Sequence, residues 1–279
     1  MILKYEDYKL NGVSVFERVA FSPPFKPSVT YEQEACFIYS ISGNGMLYGG
    51  LEKDTVQSKE SVLMKCGSFL NHWKSADRGQ PCEIITIHIT PDILNTIYEN
   101  KIPDFLTKST GRSDKIFKKI PRKTIVDEYI KGLVFYFDNP FLINEELIIL
   151  KLKELILLLH NANYDDLSAL LSALFSPLQL TFKSIVQAHL FEELEIKDFA
   201  ALTNTSLSTF KRKFKQIFND TPAQYITNKR LEKAAQLLKL TDHRITDICF
   251  DCGFNDLSTF SKSFSKKYQL PPSEYRNTN

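Results

Sequence analysis

The side chains of this 279-residue chain best suited to gripping another molecule are basic and hydroxyl groups that occur in two sets. Between Leu207 and Asn219 stand Ser208, Thr209, Lys211, Arg212 and Lys215, with no acid among them. From Leu257 to Glu274 stand Ser258, Ser261, Lys262, Lys266 and Lys267, again with no acid before Glu274. A guanidinium can hold the O6/N7 edge of guanine with two hydrogen bonds, and ammonium and hydroxyl groups can bond base edges or phosphates. Arg212 is the expected base reader. Lys211 and Lys262 suit base edge or phosphate, as do the hydroxyls of Ser208, Thr209 and Ser258. Lys215 and Lys266, a turn further on, suit phosphate, and Asn255 and Ser261 complete the expected DNA-binding set. One isolated K-R-K run would be read as an ordinary solvated face; its repetition favours recognition of double-stranded DNA.

The two sets sit in an internal repeat. An offset of 50 residues aligns Leu207-Ser-Thr-Phe210 with Leu257-Ser-Thr-Phe260, Phe214 with Phe264, Pro222 with Pro272 and Tyr225 with Tyr275. Each copy reads as a short helix, a turn and a second helix. In the first, Ile196, Phe199 and Ala200 give the apolar face, Thr203 to Ser206 the turn, and Leu207 to Phe218 the second helix. In the second, Ile245, Ile248 and Cys249 precede a turn through Gly253 and a helix from Leu257 to Tyr268. Phenylalanines four apart, at 210 and 214 and at 260 and 264, share one buried side and leave the basic side outward. A long helix, Ala223 to Leu240, joins the copies, so that both outward faces can meet successive major-groove openings.

Composition sets the frame for these motifs. With 43% hydrophobic and 24% charged residues the chain reads as globular, and its length suggests about two domains. The net charge of +2 hides an asymmetry, since Lys and Arg number 20 against 22 acids up to residue 180 and 15 against 11 after it. Up to about residue 90, strand-like runs such as Ala35–Ile41 and Glu83–Thr90 alternate with turns at Pro23-Pro24, Gly43-Asn44-Gly45 and Gly49-Gly50, as in an antiparallel sandwich or small barrel. From Pro91 the pattern turns helical, with segments starting at Pro91 and near Pro121 and a third over 144–161. That third helix, capped by Asn144, is so apolar that it is either sandwiched within its domain or packed in part on a second subunit. Its greasiest run, Leu147 to Leu159, is interrupted by Lys151, Lys153 and Glu154 and is 13 residues long, too short to span a bilayer, which takes about 20. The acidic residues near Met1 do not suit a secretory signal, so the expected location is the cytoplasm, away from any membrane. The expected boundaries are a regulatory domain over 1–165, a linker over 166–176 and a DNA-binding domain over 177–279.

The segment from Phe182 to Arg276 resembles the DNA-binding domain of AraC/XylS-type transcription regulators. The likeness is carried by Ile196-Lys-Asp-Phe-Ala200, Ser206-Leu-Ser-Thr-Phe-Lys-Arg-Lys-Phe-Lys215, Thr221-Pro-Ala-Gln-Tyr225, Arg230-Leu-Glu-Lys-Ala234, Ile245-Thr-Asp-Ile-Cys249, Gly253-Phe254, Phe260-Ser-Lys-Ser-Phe264 and Pro271-Pro-Ser-Glu-Tyr-Arg276. Cys249 stands where the family commonly has alanine, a small-for-small exchange. The resemblance implies binding at a promoter, activation through RNA polymerase, and a cupin-like sensing and dimerisation domain in front. The expected architecture is therefore α+β: an N-terminal cupin-like β domain with flanking helices, then an all-α domain with two helix-turn-helix motifs, in a homodimer. A small-molecule or protein effector at the N-terminal domain fits this plan, with no ligand site carried over.

The competing reading is a cupin-type metal enzyme fused to the DNA-binding domain. It would need converging His and carboxylate ligands, yet of the five histidines only His72 and His88 lie in the strand region, and no H-x-H or H-x-x-x-H occurs. No phosphate loop, G-x-S-x-G or H-E-x-x-H is present either. No enzyme, metal or cofactor is expected. His72 beside Trp73 is read as a partly exposed loop residue, with an effector-pocket role as the alternative. The five cysteines are read as reduced and mostly buried, including the Cys249-x-x-Cys252 pair. A regulator held off by a protein partner rather than a small molecule is the third reading.

Overall fold

The computed structural model describes every residue except 32–33, 66, 76–78, 108–115, 121–123, 162–180 and 278–279. The chain divides into two compact units, Met1–Gln179 and Leu180–Asn279. The linker expected over 166–176 lies outside the described residues.

In the first unit, strands β1 (Ile2–Leu10), β2 (Val13–Phe21), β4 (Ala35–Ser42), β7 (Ser61–Met64), β9 (Cys82–Ile89) and β10 (Phe117–Ile120) form a sheet in the order β1-β2-β9-β4-β7-β10. Strands β3 (Ser28–Tyr31), β5 (Asn44–Gly49), β6 (Glu52–Val56) and β8 (Gly67–Lys74) form a second, ordered β3-β8-β5-β6. All the pairings are antiparallel. The central strand β4 explains the layering. Its side chains alternate between faces: Ala35, Phe37 and Tyr39 enter one core, and Cys36 and Ile38 another. The second core lies between the sheets and includes Phe21, Leu47, Phe69, Trp73 and Phe117. The first is closed by helices α1 (Pro91–Ile97), α3 (Thr124–Asp138) and α4 (Glu145–Asn161); the short α2 spans Asp104–Thr107. Because both faces are covered, β4 reads as an unbroken apolar run rather than an alternating one.

Asn144 caps α4, its Oδ1 accepting from Leu147 N at 2.9 Å. The inner stripe of α4, Ile148, Leu152, Leu155, Ile156 and Leu159, is buried within its own unit, while Leu150 is 61% and Leu157 45% exposed. Among the described residues, no helix is long and apolar enough to cross a membrane.

Two expectations need correction. The helical pattern from Pro91 onward is interrupted by β10, which pairs with β7 and buries its end residues Phe117 and Ile120 in the two different cores. His72 is not a loop residue: it sits buried within β8, its ring edge-on to Tyr48 with centroids 5.1 Å apart.

At one end of the large sheet, the half-buried His88 lies between Glu17 (Nε2 to Oε2 3.3 Å) and Glu34 on Nδ1. Burial pulls the imidazole down, but the hydrogen bonds that its ring N–H groups donate to both carboxylates, and the charges of those carboxylates, prevail and lift it from 6.5 to about 9. A raised folded value stabilises fully below pH 6.5 and is lost as pH climbs through 9. The stability of this unit, followed by the fluorescence of Trp73, the one tryptophan in the chain, is therefore expected to fall by about 1 to 3 kcal/mol over that interval. His88→Gln should flatten the slope in urea titrations at stepped pH; an unchanged slope would assign it to other groups.

Candidate nucleic-acid interface

The second unit is wholly helical: α5 (Phe182–Ala188), α6 (Ile196–Leu202), α7 (Leu207–Phe218), α8 (Pro222–Leu240), α9 (Ile245–Asp251), α10 (Leu257–Tyr268) and α11 (Pro272–Arg276). Helices α6–α7 and α9–α10 form the two helix-turn-helix copies. Both second helices have 12 residues and begin and end where the repeat places them.

Their limits have local causes. Ser206 caps α7 by accepting from Thr209 N at 3.2 Å, and Asp256 caps α10 by accepting from Thr259 N at 2.7 Å. Hydrogen bonds from Thr259, its backbone N–H first and then its side chain, hold the Asp256 carboxyl below its ordinary range. Asn219 (φ 55°) and Gln269 (φ 61°) end the helices in the left-handed region and donate N–H to Lys215 O and Ser265 O. Beneath each helix runs the same aromatic ladder. Phe210, Phe214, Phe218 and Tyr225 follow one another at 5.5, 4.4 and 4.7 Å between centroids. Phe260, Phe264, Tyr268 and Tyr275 follow at 5.6, 4.6 and 5.0 Å. With these rings fixing one side, the opposite side faces water.

On that outward side Ser208, Lys211, Arg212, Lys215, Asn255, Ser258, Lys262 and Lys266 are exposed, and Thr209 and Ser261 are half-buried. Ser208 and Arg212, four apart, share the centre of α7, as Ser258 and Lys262 do in α10. The Ser208 and Thr209 hydroxyls are within 3.0 Å of Ser206 Oγ, so the cap also orients them. Lys266 borders a groove of about 460 Å3 against Gln224, Thr227 and Asn228 of α8. Lys267 is engaged within the unit, its Nζ bonding Asn228 O at 3.1 Å and Glu232 at 3.2 Å. Three exposed groups of the same sides were missed: Lys213, Gln216 and Thr259. The 50-residue offset would have found the latter two, as partners of Lys266 and Thr209.

The copies are joined by Arg230 of α8, 9% exposed. Its guanidinium donates to the carbonyls of Leu190 (2.8 Å), Glu192 and Leu194 (3.3 Å) ahead of the first motif, and to Gly253 O (2.7 Å) in the turn of the second. Burial lowers its pKa to about 10, which leaves it charged at neutral pH. Gly253, with φ +83°, is held where a Cβ would come within 2.8 Å of the Phe191 and Glu192 carbonyl oxygens. In the first copy Asn204, φ 49°, makes the corresponding left-handed turn. The neighbouring thiols of Cys249 and Cys252 are buried, and burial pushes both up to about 11. They are neutral at pH 7, which suits packing rather than redox or metal chemistry. Among the described residues no group of three His, Cys, Asp or Glu side chains could hold a metal ion.

Two predictions concern this junction. Arg230→Met strips the donor from four carbonyls and should destabilise the helical unit by more than about 3 kcal/mol. The loss is read as an earlier far-ultraviolet transition in guanidinium, with the Trp73 transition in place; a displacement of the Trp73 transition instead would contradict it. Gly253→Val, strained in its backbone and colliding with two carbonyls, should cost at least about 2 kcal/mol more than Cys252→Ala. A melt with that order reversed would refute the placement of the turn.

A family model described as a helix-turn-helix domain matches residues 199–278, and one described as the ExsA N-terminal regulatory domain matches 35–170. The chain is 38% identical over 116 residues to the HTH-type transcriptional activator RhaR of Mannheimia succiniciproducens, covering 42% of this chain and 39% of that protein. It is 37% identical over 91 residues to the HTH-type transcriptional activator RhaS of an Enterobacter species, covering 33% of each. The matched part thus spans between a third and two-fifths of these relatives. A crystal structure of ToxT from Vibrio cholerae with bound unsaturated fatty acid aligns over 97% of this chain and 96% of that one at 15% identity, with a TM-score of 0.37. The chain thus carries a helix-turn-helix domain of the AraC type over 199–278, preceded by a segment that matches an ExsA-type regulatory domain.

Proposed function

We propose that this protein binds promoter DNA through α7 and α10 together and activates transcription under the control of its N-terminal domain. The observation that carries the reading is the pair of outward faces. Two helices of equal length, on duplicated aromatic ladders, present basic, acid-free sides and are tied to one connecting helix through Arg230. Helix α8 has 19 residues, about 28 Å at 1.5 Å per residue, close to the spacing of about 34 Å between successive major-groove openings. In this reading Arg212 holds guanine in one opening and Lys262 a base edge in the next. Ser208, Thr209, Asn255, Ser258 and Ser261 bond bases or phosphates around them, Lys211 serves either, and Lys215 and Lys266 anchor phosphates. RhaR and RhaS are described as activators, which favours activation through RNA polymerase here.

Leu150 and Leu157, seven residues apart and so on one side of α4, stay exposed and suit a homodimer through the N-terminal unit. The protein acts in the cytoplasm, without catalysis, metal or cofactor of its own. The domain boundaries that fit this reading are 1–165 and 177–279, with 166–176 between.

Fluorescence anisotropy on a duplex selected from a random library tests the roles. Arg212→Ala should lose about 1 to 3 kcal/mol on the selected site and relax preference at one base position, whereas Lys266→Ala should weaken selected and random duplexes alike and flatten the salt dependence by about one phosphate contact. Equal losses for both variants on both duplexes would contradict the assignment.

A further inference from the structure

Between the first half of α8 and one side of α10 lies a groove of about 460 Å3, with Gln224, Thr227 and Asn228 on one wall and Ser263, Lys266 and Lys267 on the other. Residues three and four apart share a helix side, so each wall follows from its spacing. Lys267 spans the two helices, its Nζ bonding Asn228 O at 3.1 Å and Glu232 Oε1 at 3.2 Å, and so ties the walls together.

The lining differs from an ordinary polar surface in two respects. Among the described residues no acid lines it, and Glu232, the acid that Lys267 reaches, is also closed by Lys229 at 2.9 Å. The side chains of Gln224, Thr227, Asn228 and Ser263 make no hydrogen bond among the described residues, and Lys266 makes no ion pair there. Thr227, Asn228 and Ser263 are half-buried. A hydroxyl in that position on a helix can turn back to the carbonyl one turn earlier, as Thr96 of α1 does to Asp92 O at 2.9 Å; in the groove the hydroxyls stay open to a group from outside the fold.

The place of the groove says what that group is. Helix α8 follows directly on the turn that ends α7, and Lys266 belongs both to the groove and to the outward side of α10. The groove therefore opens between the two helices that carry the base-reading groups. We propose that it holds the phosphodiester backbone of the duplex where that passes from one major-groove opening to the next, with Gln224, Thr227, Asn228 and Ser263 donating to phosphate oxygens beside the Lys266 ammonium. An acid-free lining admits a polyanion, and hydroxyl and amide groups are the neutral donors that serve phosphates. Such bonds carry no base information but fix where a protein sits along the helix, and here they set the distance between the base pairs met by Arg212 and Lys262. The proposal rests on the promoter-binding reading and adds four residues and a spacing role to it.

The test is fluorescence anisotropy of the full chain on the selected duplex and on copies in which one phosphate at a time is replaced by an uncharged methylphosphonate. One or two replacements between the base pairs assigned to Arg212 and Lys262 should weaken binding about fivefold or more. Asn228→Ala and Thr227→Val should each weaken selected and random duplexes about three- to tenfold. Neutral donors release no counterions, so the salt dependence should stay as it is, in contrast to Lys266→Ala. On the duplex whose methylphosphonate occupies their contact, the losses from these two variants should vanish, the non-additivity expected of groups that touch. Far-ultraviolet melts matching the parent chain certify the fold of each variant. The proposal is overturned if no central methylphosphonate weakens binding, if both variants bind as the parent does, or if their losses add to that of the methylphosphonate at every position. A parent chain that binds no duplex would overturn the promoter-binding reading and this proposal with it, whereas the other outcomes overturn this proposal alone.

Discussion

A buried guanidinium is tolerable only where acceptors replace the water it loses, and Arg230 finds four of them, all backbone carbonyls. Three belong to the segment that enters the first helix-turn-helix and one to the turn of the second, so a single side chain on the connecting helix fixes both motifs. The planar fork gives directional bonds that a lysine could not reproduce. Gly253 belongs to the same arrangement, because the carbonyls of Phe191 and Glu192 come so near that only a residue without Cβ fits. Everything on the outward sides of α7 and α10 presupposes this junction. The basic residues are exposed and would otherwise be disposed independently in each copy.

The first unit solves a different problem. Its large sheet is covered on both sides: aromatic rings fill the space between the sheets, while α3 packs into the other core and is tied to the sheet at its two ends, by Tyr39 to Asp127 and by Arg18 to Asp138. Charged and hydroxyl groups at those positions fix the helix over the apolar residues that it buries between them.

The repeat was the most legible part of the sequence. A 3.6-residue period of phenylalanines, a capping Ser or Asp and a short polar stop fix each helix locally, so the limits of α7 and α10 follow from neighbours in the chain. The long helix after Asn144 was legible for the same reason. Strand β10 was not, because four residues gain their structure only from pairing with β7, more than fifty positions earlier. His72 was misplaced because the polar residues around it suggest a turn, whereas the pairing of β8 with β5 draws it inside. In the interface, helical periodicity put Lys267 on an outward side but could not foresee Glu232 and Asn228, which arrive from another helix.

The two copies share their ladders and caps but not their outward residues: Arg212 answers Lys262, Lys215 answers Ser265, and Gln216 answers Lys266. Their turns differ as well, four residues in the first and five in the second. A reader built from unlike halves has a head and a tail. Under the promoter-binding reading it would distinguish a site from the same site reversed, so one chain alone can impose a direction on the duplex it occupies.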